Sequence, residues 1–167
     1  KRAAKPDESR APMPKSLPLK AFSSDILIFG CGTMAGAMLA RWLDCGLDPA
    51  RVTALRQSGQ PPFPEIATVT SPAGLERPAL LVIGIKPQAF PALAPDIAAL
   101  AGATTDVVSI MAGITLETLR EALPDARSIV RAMPNMPVAQ GHGVVATAGN
   151  MPGDIGTLLA PLGLVHA

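Results

Sequence analysis

The 167-residue chain has no tyrosine, one tryptophan and four phenylalanines. So sparse an aromatic set offers no stacking platform for single-stranded nucleic acid. It also leaves the core to Ala, Leu, Ile, Val and Met. Cysteine is nearly as scarce: Cys31 and Cys45 fall near opposite ends of one expected helix. At 1.5 Å per residue they stand roughly 20 Å apart, beyond disulfide reach, which predicts reduced thiols and a cytoplasmic protein. The two histidines, His142 and His166, lack Cys or carboxylate neighbours at metal spacing, so no metal site is expected. Ser109 has no His–acid pattern that would make it a nucleophile.

Long apolar runs are missing too. The uncharged stretch from Ile26 to Ala40 follows a basic leader, and Phe29-Gly30-Cys31 faintly resembles a lipoprotein cleavage site. Its apolar part is too short for a signal core, its remainder is broken by glycines, and the whole falls short of a membrane span. Charge is uneven beneath a net +1. The first twenty residues hold six Lys/Arg against two acids, whereas the rest holds eight against eleven. The later part is therefore mildly acidic and carries no footprint for nucleic acid. After Lys20 only one lysine occurs, Lys86.

What is present is more specific. The apolar run Ile26-Leu27-Ile28-Phe29 turns at once into Gly30-Cys31-Gly32-Thr33-Met34-Ala35-Gly36-Ala37, where a helical pattern begins. This is the strand–turn–helix setting of a dinucleotide fingerprint. Gly30 permits the tight turn and Gly32 lets backbone approach a pyrophosphate. Ala35, with Gly36 beside it, lets the helix lie close to a sheet. Free N–H groups and the dipole at the helix start favour phosphate charge.

Residues 1–22, rich in Lys, Arg, Pro and Ser, are expected to form a flexible leader before a dinucleotide-binding domain over 23–167. Strands are expected at 25–29, 51–55, 67–70, 79–85, 106–111, 128–132, 143–147 and near 164–166. Helices are expected at 33–45, 91–101, 116–122 and 154–161. The first helix should turn Ala37 and Ala40 to the sheet and end at Gly46, a suitable C′ position. The alternation gives an α/β fold: a Rossmann-type, doubly wound, mostly parallel sheet of about seven or eight strands.

In such a sheet, ligands bind beyond the carboxyl ends of the strands. The second strand ends in Arg56-Gln57-Ser58, and no acid occurs between Pro49 and Pro64. An acid there would hold the ribose 2′-OH. A cation, an amide and a hydroxyl suit a 2′-phosphate and so NADP(H), with NAD(H) still possible. The other reading of Arg56 is a solvated loop residue. The fourth strand delivers Gly84-Ile85-Lys86-Pro87 to the cleft mouth. The fifth ends in Ser109-Ile110-Met111-Ala112-Gly113, small enough for a flat ring to lie against backbone. The sixth ends in Arg131-Ala132-Met133-Pro134-Asn135-Met136-Pro137, where two prolines flank an amide. Asn135 is either an oriented hydrogen-bonding group or an ordinary turn former.

Taken in order, the fingerprint Gly30–Ala37, the turn Ile85-Lys86-Pro87-Gln88, the segment Ser109-Ile110-Met111-Ala112-Gly113-Ile114-Thr115 and the run Arg131–Pro137 resemble the N-terminal domain of the pyrroline-5-carboxylate reductase family over about residues 25–167. The resemblance implies hydride transfer from NAD(P)H to a small cyclic imine carboxylate, giving L-proline, with no nucleic-acid or membrane partner. By motif, Phe29, Gly30, Cys31, Gly32, Thr33 and Met34 would wrap the pyrophosphate, with Ala35 packing beneath. Arg56, Gln57 and Ser58 would face the adenosine ribose or its phosphate. Ser71 would fall where the family often has an adenosine-contacting Asn. Gly84, Ile85, Lys86 and Pro87, with Ile110, Met111, Ala112 and Gly113, would line the cleft, and Asn135 would sit by the nicotinamide. Thr33 and Arg56-Gln57-Ser58 depart from the family's common residues. The resemblance also implies a helical C-terminal domain, absent from this chain, and a homo-oligomer for the full enzyme. The motifs supply no catalytic proton donor. A non-catalytic NADP-binding module, or another imine or deazaflavin oxidoreductase, is the alternative.

Overall fold

The computed structural model describes residues 18–167; most of the expected leader, residues 1–17, lies outside them. The strands are β1 (Ile26–Phe29), β2 (Val52–Leu55), β3 (Ala67–Val69), β4 (Leu80–Ile83), β5 (Asp106–Ser109), β6 (Ser128–Pro134), β7 (Gly143–Ala148) and β8 (Gly163–His166). The α-helices are α1 (Thr33–Asp44), α2 (Phe90–Leu100), α3 (Leu116–Ala122) and α4 (Gly153–Leu159), joined in places by short 3-10 turns. All eight strands form one sheet in the order β3-β2-β1-β4-β5-β6-β7-β8. The chain winds outward from β1 in both directions, which is the Rossmann arrangement and puts the switch point between β1 and β4.

The six strands from β3 to β6 in that order are parallel. Strand β7 reverses against β6, and β8 runs parallel to β7. The reversal follows from the connection: the 3-10 turn Met136–Gln140, closed by Gly141 at φ +74°, is too short for a crossover.

Strands β1 and β4 are buried along their whole length because both faces are covered. Ile26 and Ile28 point into a core with α1 and α4, while Leu27 and Phe29 point into a second core with α2 and α3. That is the period-two alternation of a strand between two layers.

Helix α1 buries Ala35, Met38, Leu39 and Trp42, one stripe at helical spacing. Ala37 and Ala40, expected against the sheet, are only half-buried. Gly36 also faces open space, since a Cβ there would meet nothing within 4 Å. The larger side chains take the core face because they gain more from burial. At the far end the N–H groups of Gly46 and Leu47 bond the carbonyls of Leu43 and Trp42 at 2.9 and 3.0 Å, with Gly46 at φ +90°. This is a Schellman close, as Gly46 suggests.

Trp42 ties α1 to α4: its indole N–H donates to the Leu158 carbonyl at 2.8 Å. Trp42→Phe should cost about 1–2 kcal/mol, since a buried carbonyl loses its partner. A urea melt with an unchanged midpoint would refute that role.

Residues 18–22, assigned to the leader by composition, pack on the domain. Leu19 is fully buried, and its N–H donates to the Cys45 carbonyl at 2.9 Å. One apolar residue among prolines and lysines shows no period, so composition alone misses it. Among the described residues no helix is long and apolar enough to cross a membrane.

Candidate functional site

The site grows out of two glycines. Phe29 pairs with Ile83 in register, so Gly30 and Gly84 leave β1 and β4 side by side. The Gly84 N–H donates to the Phe29 carbonyl at 2.9 Å. Gly30 sits at φ +86°, and a Cβ on it would fall 2.5 Å from Ile85 Cγ2 and 2.9 Å from the Ile85 backbone nitrogen. A Cβ on Gly84 would fall 2.5 Å from the Gly30 carbonyl oxygen and 3.1 Å from the Ala35 Cβ. The two turns therefore interlock with no room for a side chain on either, and Ala35 seats α1 against them. Gly32 is the opposite case, because a Cβ there would meet nothing within 4 Å. It precedes α1, whose first turn has neither a side-chain cap nor an acid. The orphan N–H groups of that turn thus face open space, ready for an anion.

Two adjoining hollows meet over these turns. The first, about 530 Å³, runs from Phe29, Gly30, Cys31 and Gly32 past Arg56, Gln57 and Ser58 to Ser71. The second, about 360 Å³, lies between Thr33, Met34, Ala35 and Pro87 on one side and Ile110, Met111 and Ala112 on the other. Gly32, Gly84, Ile85 and Lys86 border both. Together they form one elongated groove across the switch point. A wider groove of about 860 Å³ lies along the starts of β7 and β8 and is lined by none of the fingerprint residues.

Arg56 and Lys86 are the cations of the first hollow, and Asp96 is its carboxylate. The Arg56 guanidinium is fixed by donating from Nη1 to the Gln60 carbonyl at 2.9 Å. Its charge reaches the fingerprint turn: burial pushes the Cys31 thiol up, and Arg56 offsets part of that rise. Ser58 Oγ accepts the Gln60 N–H at 3.3 Å and Ser71 Oγ accepts the Ala73 N–H at 3.2 Å. Each hydroxyl shapes its own turn while its O–H remains a donor.

Two expected residues lie outside both hollows. Gly113 sits at φ +77° in open space after the β5 turn. The Asn135 side-chain oxygen accepts the Val144 N–H at 2.9 Å, so it pins the start of β7. Conversely, Leu55, Thr70, Pro72, Ala89, Leu93 and Asp96 line the first hollow without a motif to announce them. The one signal is spacing: Ala89, Leu93 and Asp96 lie at helical intervals on the face next to the buried stripe Phe90, Ile97 and Leu100.

Fold and groove define an α/β domain of the Rossmann class. Within that class the chain is similar to pyrroline-5-carboxylate reductases. It is 29% identical over 125 residues to pyrroline-5-carboxylate reductase 3 of Macaca fascicularis, covering 71% of this chain and 46% of the relative. It is 29% identical over 132 residues to the pyrroline-5-carboxylate reductase of Pasteurella multocida, covering 73% and 48%. In three dimensions it superposes on the NADP-bound pyrroline carboxylate reductase of Plasmodium falciparum with a TM-score of 0.74. That match has 18% identity and covers 86% of this chain and 56% of the other. The chain thus spans about half the length of these relatives. No family model matches it.

Proposed function

We propose that this chain is the cofactor-binding part of a pyrroline-5-carboxylate reductase, reducing a cyclic imine carboxylate to L-proline with NADPH. The observation that carries the reading is the interlocked Gly30–Gly84 crossing, with Gly32 left open beside the uncapped start of α1. Such a cradle accepts a pyrophosphate on backbone N–H groups and rejects side chains. A nicotinamide dinucleotide bound there supplies the hydride, while the protein orients its ring. In this reading Ile110, Met111 and Ala112, which line the second hollow, hold that ring. Substrate contacts and the homo-oligomer belong, in this reading, to the helical domain of the whole enzyme.

Arg56 supports NADPH over NADH. No carboxylate stands at the end of β2, and the guanidinium is already held at the rim of the first hollow. Arg56→Ala should weaken NADPH about 10- to 30-fold, the worth of one charged hydrogen bond, and leave NADH nearly unchanged. Fluorescence titration of both dinucleotides measures this; equal losses for both, or none, would remove Arg56 as the phosphate reader. For the activity, the full-length enzyme should turn over 1-pyrroline-5-carboxylate with NADPH. NADPH binding without turnover of any imine would instead favour a non-catalytic module.

A further inference from the structure

One side of the sheet is left bare at its β8 end. Helices α2 and α3 cover β1, β4, β5 and the start of β6 on that side. Beyond them, Arg131 and Met133 of β6 stand opposite Ala148 and Ala146 of β7, and Val144 and Ala146 stand beside Leu164 and His166 of β8. Residues paired across strands share a face. All of these but Arg131 are exposed, whereas Val130, Ala132 and Val145 on the reverse side are buried. A sheet face that meets water alternates polar residues outward. This one instead presents Met133, Val144 and Leu164, which are 41, 45 and 66% exposed. Arg131 is the second anomaly. Its Nε is the one buried side-chain nitrogen or oxygen without a hydrogen-bond partner among the described residues. Its Nη2 reaches only the Met133 Sδ, at 3.8 Å. No carboxylate lies on this face.

We propose that this face seats one helix from the remainder of the enzyme, with apolar side chains on Met133, Val144 and Leu164 and a carboxylate against the Arg131 guanidinium. The inference rests on the reading above that this chain is one part of a longer reductase. Size selects the occupant. Strands stand about 4.8 Å apart, so β6 to β8 measure roughly 10 Å between axes, the width of one helix. The six residues of β7 give a length of about 20 Å. An area on the order of 200 Å² is a quarter of the roughly 800 Å² that each partner gives to a stable dimer. Charge selects it too. A second copy laid face to face would bring another Arg131 and His166 and no acceptor. A guanidinium that has lost part of its water without a partner is costly, and a carboxylate held under a packed helix offsets that cost.

Two measurements, each made on this chain and on the full-length reductase, test the seat. Under dilute hydrogen peroxide, Met133 should form its sulfoxide at least about tenfold more slowly in the full-length enzyme, as read by peptide mass spectrometry. Arg131→Met should leave the melting temperature of this chain unchanged or raised, because an unpaired buried N–H is removed. In the full-length enzyme the same change should lower it by about 3–6 °C, because the carboxylate opposite is left alone. Equal oxidation rates would overturn the proposal, whatever the enzyme's activity. So would a fall in both proteins, which makes Arg131 a support of this domain alone, or a fall in neither. Protection of Met133 in this chain alone as its concentration rises would give the face to a second copy instead. A full-length protein that protects Met133 yet reduces no imine would overturn the reductase reading and leave the seat standing.

Discussion

Gly84→Ala should lose NADPH binding on the order of 100-fold and about 1–3 kcal/mol of stability, the usual cost of forcing a methyl into a packed site. The reason lies in what the methyl would strike. Its neighbour at 2.5 Å is the Gly30 carbonyl oxygen, a backbone atom held in a turn at φ +86°. Relief requires β1 and β4 to part at their ends, and that displaces the start of α1. Gly32→Ala is the matching control. Its Cβ meets nothing in the protein, so stability should fall by no more than about 1 kcal/mol, the preference for Gly over Ala at a helix N-cap. Its NADPH affinity should still fall at least about tenfold, because the methyl occupies the space a pyrophosphate needs. Thermal melts alongside dinucleotide titration separate the two effects. If Gly84→Ala bound NADPH normally, the interlocked turns would not be what shapes the groove.

The second large effect lies at the other end of the sheet. Asp106 is 1% exposed at the start of β5. It accepts hydrogen bonds from Arg127 Nε at 2.9 Å and Ser128 Oγ at 2.7 Å, with a second contact from Arg127 Nη2. Burial pushes the Asp106 carboxyl up, but the bonds from Arg127 and Ser128 and the Arg127 charge outweigh it and hold the group below its ordinary 3.8. Asp106→Ala should cost about 2–3 kcal/mol, less than for a fully buried pair because Arg127 is 52% exposed and can turn to water. The melting temperature should drop by about 5–10 °C. The sign in pH follows from the lowered value. The folded protein holds this proton more weakly than the unfolded chain, so the stabilisation is complete above 3.8 and drains as pH falls through the lower folded value. Wild type and variant should therefore differ most near neutrality and converge in acid. A constant difference down to pH 2 would show that packing, not the ion pair, is what Asp106 supplies.

Much of this was legible in the chain. Apolar runs such as Leu80–Ile83 and Val107–Val108 stand between breakers, so strand positions emerge with errors of one or two residues. Direction is harder. The reversal of β7 depends on how a short turn after Asn135 folds back, and no residue there announces it. Ala37 and Ala40 lie off the core face of α1 because Met38 and Trp42, with more apolar surface to bury, take it, and small size alone does not tell which face an alanine shares. Within the groove, segments bound to glycine turns stood out, since backbone geometry restricts which residues fit. Leu93 and Asp96 did not, because whether an exposed helix face looks at solvent or into a cleft is decided by the tilt of α2 on the sheet.

Leu19 bears on where this domain is best cut. Composition draws the boundary at residue 23, just before β1. A fragment trimmed there would leave an apolar hole beside Cys45 and Leu47 and a carbonyl at the end of α1 without its partner. The packed unit thus begins before the first strand, and a single leucine marks the place.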